Sequence, residues 1–120
     1  MILLWVALGG ALGACARYGT AVGVHHFIGG GWPVATLAVN VLGSVGIGAL
    51  FVLLEREAVH ELVRPLLLVG FLGGFTTFST FSLEMLNMVE RGAWGSAASY
   101  ALISVLSCFA GVLIGAAMMR

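Results

Sequence analysis

Four apolar stretches, each long enough to cross a lipid bilayer, take up almost the whole of this chain. They cover approximately residues 2–24, 32–54, 65–89 and 95–119. A transmembrane helix needs about 20 apolar residues, and only short connections separate the four stretches. Of the 120 residues 61% are hydrophobic and 8% are charged, whereas about 25% of the residues in a soluble domain are charged. The sequence therefore predicts an all-α membrane protein whose residues 1–120 form a single four-helix transmembrane domain.

The third stretch contains a run that a simple membrane anchor does not need. Residues 70–81 combine three glycines with three threonines, a serine and four phenylalanines. Glycine weakens a helix or lets another backbone come close, and hydroxyls can bond the backbone groups that a broken helix frees. We therefore predict that the third helix is broken in the middle of the membrane, between Gly73 and Thr76, and that this break is a functional site.

Phe78 and Phe81 are three residues apart, so a helix places them on one face. Their rings either line a common path or make the ordinary contacts of membrane phenylalanines with lipid and neighbouring helices. The threonines between them favour the path. Glu84, one turn further, continues this face and is the only acidic residue inside any of the four stretches.

Small and polar residues form one stripe on the second helix and another on the fourth. Their spacing of three and four residues keeps each set on one helical face. The stripes consist of Thr36, Asn40, Gly43, Ser44 and Gly48 on the second helix, and of Tyr100, Ser104, Cys108, Gly111 and Gly115 on the fourth. The Asn40 carboxamide must find partners in hydrocarbon, either on a neighbouring helix or in a pore. We expect the stripes to meet a second subunit, water, or both.

The arginines are nearly balanced between the two sides of the membrane. Arg56, Arg64 and Arg120 share one side, and Arg91 lies on the other, with Arg17 near it. Arg17 either reaches for the interface or faces a path for ions. Such balance leaves little preference for one orientation under the positive-inside rule. An inverted pair of subunits would bring two copies of the break to an in-plane twofold axis, where unwound carbonyls could coordinate a cation.

The connection between the first two stretches contains His25, His26 and three consecutive glycines. Adjacent histidines point in different directions, and no third metal ligand lies nearby in the sequence. We expect an exposed loop at this position rather than a metal site.

Three segments together resemble the small fluoride channels of the CrcB, or Fluc, family, namely residues 9–18, 40–44 and 73–81. The match runs through all four stretches in order. The resemblance implies a dual-topology homodimer of two antiparallel subunits with two pores. Its implied activity is passive fluoride export through the inner (plasma) membrane, which relieves fluoride toxicity, and it implies no enzymatic activity.

The resemblance also implies roles for individual residues. Phe78 and Phe81 match the aromatic pair that contacts fluoride, and Asn40 matches the pore asparagine. Gly73 and Thr76 match the backbone carbonyl ligands of a structural sodium ion (Na+) at the dimer interface. Further matches are Arg17 near the vestibule, Glu84 as a family acid, and Tyr100, Ser104 and Cys108 along the polar track of the pathway, where Cys108 departs from the expected hydroxyl.

Two other functions remain open at this point. A small multidrug-type proton-coupled exporter also has four short spans, but it needs a titratable carboxylate deep in the membrane, and the first stretch has none. A non-transporting subunit could use the glycine faces to bind other membrane proteins. Hydroxyls accept hydrogen bonds as well as donate them, so the side chains alone do not determine the sign of a transported ion.

Overall fold

The computed structural model describes all 120 residues and contains helices but no strands. Four helical spans are long and apolar enough to cross a membrane: Ile2–Ile28, Val34–Glu55, Arg64–Glu90 and Trp94–Met119. They are called here the first helix, the second helix, the third span and the fourth helix. This confirms the prediction of an all-helical protein with four membrane-spanning segments.

The first helix extends beyond the predicted end at residue 24. It continues to Ile28 and is terminated at Gly29, whose φ of 82° is a left-handed conformation that glycine adopts without strain. His25 and His26 therefore form an exposed last helical turn. The expectation of a loop at the two histidines was wrong, because the backbone stays helical through them and leaves the helical conformation only at Gly29.

The first helix and the N-terminal half of the third span, residues 64–75, form one closely packed pair. A methyl group added at Gly13 would collide with the Phe71 carbonyl, and one added at Gly74 would lie 2.6 Å from the Gly10 carbonyl oxygen. The two backbones are in direct contact, which only glycine permits at such distances.

The second and fourth helices form the other pair. A methyl group at Gly48 would collide with the Val112 carbonyl, and one at Gly115 would collide with the Val45 carbonyl. The glycine ends of the two predicted stripes therefore face each other within the chain rather than a second subunit.

The third span is interrupted near its middle, as predicted, but at residues 76–78 rather than between Gly73 and Thr76, because Gly73–Phe75 keep a helical backbone. It begins with a π-helical segment, Arg64–Leu72, continues for one α-turn, Gly73–Phe75, and resumes as the helix Ser79–Glu90. Thr76 has an extended backbone with φ −84° and ψ 157°. Residues 76–78 are therefore a non-helical break, and their backbone groups need partners outside the helix.

Candidate functional site

The break is held open by one side chain from the second helix. The Asn40 amide nitrogen Nδ2 donates to the Thr77 carbonyl oxygen at 3.0 Å, and the Thr77 backbone N–H donates to Asn40 Oδ1 at 2.8 Å. The carboxamide thus bonds both the donor and the acceptor of one peptide position, as a neighbouring strand would. One hydrogen on Nδ2 remains without a protein partner.

Two threonine hydroxyls bond backbone groups at the edges of the break. Thr76 Oγ1 donates to the Leu72 carbonyl at 2.9 Å, and Thr77 Oγ1 accepts the Thr80 backbone N–H at 3.2 Å. The second contact resembles a helix cap, since it satisfies an N–H group in the first turn of the C-terminal half. The predicted use of hydroxyls to satisfy freed backbone groups is confirmed at Thr77, whereas the Thr76 hydroxyl adds a second bond to a carbonyl that keeps its helical partner.

The carbonyl oxygens of Gly73 and Thr76 accept no hydrogen bond within the chain. Gly73 is exposed, and no atom would lie within 4 Å of a methyl group added to it. Both residues line the groove described next. The chain therefore provides two unpaired carbonyls beside open space, which is a donor set suited to a monovalent cation.

A groove of about 360 Å³ runs along the break. It is formed by the second helix, both halves of the third span and the fourth helix. Seven of the residues predicted from sequence line it: Asn40, Gly73, Thr76, Phe78, Phe81, Ser104 and Cys108. No acidic or basic side chain contributes to its wall. Polar contacts in this groove therefore come from amide, hydroxyl and thiol groups, from the edges of aromatic rings and from the unpaired backbone carbonyls.

The two phenylalanines of the groove are adjacent but differ strongly in exposure. Their ring centroids are 5.4 Å apart. Phe78 is 78% exposed and Phe81 only 8%. Phe78 thus projects from the helix bundle at the start of the C-terminal half, whereas Phe81 forms part of the groove wall.

Tyr100 lies behind this wall rather than in it. It is completely buried, its ring contacts that of Phe81 at 4.9 Å between centroids, and it forms an edge-to-face pair with the Trp32 ring at 5.3 Å. The Tyr100 hydroxyl donates to Glu84 Oε1, and the Thr36 hydroxyl donates to Glu84 Oε2, both at 3.0 Å. Glu84 is therefore bound by two hydroxyls and does not line the groove.

Thr36 and Trp32 were not among the predicted site residues. Thr36 lies four residues before Asn40 on the same polar stripe, which was the only sequence signal for its role. Trp32 begins the second apolar stretch, a position typical of tryptophan at a membrane interface, and nothing in the sequence indicates that it contacts Tyr100.

Ser104 supplies an unpaired hydroxyl to the groove. Its side chain is 7% exposed, and Oγ has no hydrogen-bond partner in the chain. A buried polar group without a partner costs about 1–3 kcal/mol, so a solvent molecule or an ion in the groove would stabilise it. Cys108, one turn further, presents a free thiol to the same groove.

Arg17 lies apart from the groove, in a second cavity of about 260 Å³. Thr36, Thr77 and Thr80 line this cavity with it, so Thr77 belongs to both the cavity and the groove. The buried Nε atom of Arg17 has no hydrogen-bond partner. The guanidinium is a positive charge close to the break that no acidic side chain neutralises.

The chain is similar to proteins of one family over almost its full length. Residues 4–116 match the family model described as CrcB-like protein, Camphor Resistance (CrcB). A protein of Magnetococcus marinus named fluoride-specific ion channel FluC is 49% identical over 116 residues, which are 96% of this chain and 94% of that protein. Proteins of the same name from Rhodospirillum centenum, 49% identical over 121 residues (99% and 95% of the two chains), and from Coxiella burnetii, 43% identical over 117 residues (96% and 94%), are similar in the same way.

Proposed function

The chain belongs to the CrcB family, and we propose that it is a fluoride channel, not an enzyme, that lets fluoride leave the cell passively through the plasma membrane. The observation that carries this proposal is the groove beside the break. It contains ring edges, an amide N–H and an unpaired serine hydroxyl, and its wall has no charged side chain. Such groups stabilise a small anion without trapping it.

The positive charge for attracting the anion comes from Arg17. Its guanidinium lies in the cavity that shares Thr77 with the groove, and a positive charge in a recess raises the local concentration of anions. From this cavity fluoride exchanges water for the hydroxyls near the break and for the edge of the Phe78 ring, and it continues along Phe81 and Ser104. Each contact is weak, so the ion can leave each position again.

The channel works as an inverted homodimer. Phe78 is 78% exposed in the single subunit, and the groove is open on that side, so one subunit does not enclose a path. A second subunit in the opposite orientation would cover both and give two equivalent pores. The nearly balanced arginines agree with insertion in both orientations.

The Gly73 and Thr76 carbonyls hold a structural sodium ion at the dimer interface. Two carbonyls from each subunit would meet at the twofold axis, and carbonyl oxygens coordinate monovalent cations without any acidic side chain. The bound ion supplies a positive charge that holds the two breaks together. Neither carbonyl accepts a hydrogen bond within the chain, so both are available to the ion.

The decisive experiment reconstitutes the purified protein alone into liposomes loaded with fluoride. Rapid fluoride efflux, with far slower chloride efflux, is the expected result. Movement of a drug cation driven by a proton gradient would instead indicate an exporter, and no flux of any kind would indicate a non-transporting subunit.

A second experiment tests the orientation of the chain in the membrane. C-terminal reporter fusions should be found on both sides of the membrane, and a reporter confined to one side would contradict the inverted dimer.

A further inference from the structure

We infer that Asn40 and the hydroxyl of Thr77 are positioning residues for the sodium ion, because they remove the two hydrogen-bond donors that would otherwise occupy its carbonyl ligands. This inference rests on the sodium site of the proposed function. It assigns Asn40 a task in addition to lining the groove, and it gives Thr77 a role that the sequence did not indicate.

An uninterrupted helix would leave neither of the two carbonyls free. There each carbonyl accepts from the N–H group four residues later. The Gly73 carbonyl would then be occupied by the Thr77 N–H, and the Thr76 carbonyl by the Thr80 N–H. A carbonyl bonded in this way is a poor ligand for a cation until its partner is displaced.

In the structure both donors are bound elsewhere. The Thr77 N–H donates to Asn40 Oδ1 at 2.8 Å, and the Thr80 N–H donates to Thr77 Oγ1 at 3.2 Å. Neither the Gly73 nor the Thr76 carbonyl accepts any hydrogen bond. Asn40 and Thr77 thus bond the two N–H groups that would bond the Gly73 and Thr76 carbonyls in a continuous helix.

The other carbonyls of the break differ in a way that supports the assignment. The Leu72 carbonyl keeps its helical partner, the Thr76 N–H, at 3.0 Å. The Gly74 and Phe75 carbonyls also lack partners, but neither residue lines the groove, and Gly74 faces the first helix. Only Gly73 and Thr76 combine a freed carbonyl with a position on the open side of the break.

Asn40 also fixes where the break occurs. Because Nδ2 donates to the Thr77 carbonyl while Oδ1 accepts from the Thr77 N–H, both ends of the carboxamide must separate from Thr77 before the helix can close. Removing the side chain returns the N–H to the Gly73 carbonyl. Replacing Thr77 by valine keeps the shape but returns the Thr80 N–H to the Thr76 carbonyl.

The test measures sodium affinity rather than conduction. Thermal unfolding of the purified protein is followed while sodium chloride replaces N-methylglucamine chloride at constant ionic strength. In Asn40→Ala and Thr77→Val the sodium concentration for half-maximal stabilisation should rise by roughly five- to tenfold, the effect of one returning hydrogen bond. Thr77→Ser keeps the hydroxyl and should behave like the wild type. Thr80→Val is the matched control, since the Thr80 hydroxyl makes no hydrogen bond.

The outcomes separate this inference from the function on which it rests. Unchanged sodium midpoints in both variants, with the dimer intact on sizing, would overturn the inference, as would wild-type stability that does not depend on sodium. If Asn40→Ala does not fold, the isosteric Thr77→Val alone decides the result. Fluoride efflux from wild-type liposomes is measured in parallel: its absence, with the predicted sodium shifts present, would remove the fluoride function and leave the positioning role supported.

Discussion

Two neighbouring glycines, Gly73 and Gly74, have opposite surroundings in this protein. A methyl group on Gly74 would lie 2.6 Å from the Gly10 carbonyl oxygen, whereas one on Gly73 would meet no atom within 4 Å. Gly74 belongs to the closely packed contact with the first helix, and Gly73 belongs to the open side of the break. One side of the same helical turn therefore holds the fold together, and the other leaves room for an ion.

The comparison extends to the two regions as a whole. Where glycines pack two helices together, as at Gly13 and Gly74, the backbones are in contact and an added methyl group would collide with the neighbouring backbone. At the break, side chains replace backbone partners, and unpaired polar atoms remain on Gly73, Thr76 and Ser104. Substitutions in the first region should thus act mainly on stability, and substitutions in the second mainly on ion binding and flux.

The largest effect is expected for Gly13→Ala. Its methyl group would collide with the Phe71 carbonyl, which a rotamer change does not relieve, so destabilisation of about 3 kcal/mol is expected, at the upper end for overpacking. Gly19→Ala, in the same helix with open space around it, is the matched control and should be neutral or slightly stabilising. Thermal unfolding of the two variants measures the difference, and equal melting temperatures would contradict close packing at Gly13.

The second prediction compares the neighbouring glycines directly. Gly74→Ala should lower stability by about 1–3 kcal/mol, because it separates the first helix from the third span. Gly73→Ala should keep the fold, since its φ of −62° and ψ of −38° suit alanine, and should instead reduce fluoride efflux from liposomes. Circular dichroism melts and efflux assays of both variants are the measurements. A fold lost in Gly73→Ala and kept in Gly74→Ala would reverse the comparison.

The third prediction concerns the aromatic pair. Leucine has a similar size but no ring edge, so Phe78→Leu with Phe81→Leu should lower fluoride flux roughly tenfold or more if ring quadrupoles contact the ion. The stability cost should stay below about 1.5 kcal/mol and come mainly from the buried Phe81. Phe71 and Phe75, whose rings stack at 5.7 Å, are the controls for loss of an aromatic side chain. Wild-type fluoride flux in the doubly substituted dimer would show that the two rings only pack against neighbouring groups and do not contact the ion.

A smaller effect is expected for Tyr100→Phe. The change removes the donor to Glu84 Oε1 but keeps the ring between Trp32 and Phe81. The expected stability loss is about 1 kcal/mol, with a fluoride flux reduced several-fold because the wall behind Phe81 loosens. Ser99→Ala, at an exposed hydroxyl outside both the groove and the Arg17 cavity, should change neither. A flux decrease without any stability loss would indicate that the Tyr100 hydroxyl contacts the ion directly.

The smallest effect is expected for Cys108→Ser. A hydroxyl is a stronger hydrogen-bond donor than a thiol, and Cys108 lines the groove one turn from the unpaired Ser104 hydroxyl. Fluoride flux should rise by no more than about twofold, since one weak contact among several changes. Cys15→Ser, outside the groove, is the control. A large decrease would show that the thiol is required at this position.

Much of the architecture could be predicted because it depends on local chemistry. Apolar length alone predicts the four spans, and the density of glycine and hydroxyl residues between 70 and 81 predicts the break. The proximity of Phe78 and Phe81 follows from their spacing. The composition around His25 and His26 misled the prediction, because a pair of polar residues does not by itself end a helix, and the helix continues to the left-handed turn at Gly29.

Which helix faces meet could not be predicted from the sequence. Helical periodicity places Asn40 and Thr36 on one stripe, but it does not specify that they bond Thr77 and Glu84, which lie 37 and 48 residues away in the chain. Residue spacing likewise does not distinguish Gly73 from Gly74, and it places Tyr100 on the same helical face as Ser104. In the structure the first helix leaves no room for a side chain at Gly74, and Tyr100 is completely buried. Spacing along a helix determines direction around its own axis, and only the positions of the other helices determine what each direction contacts.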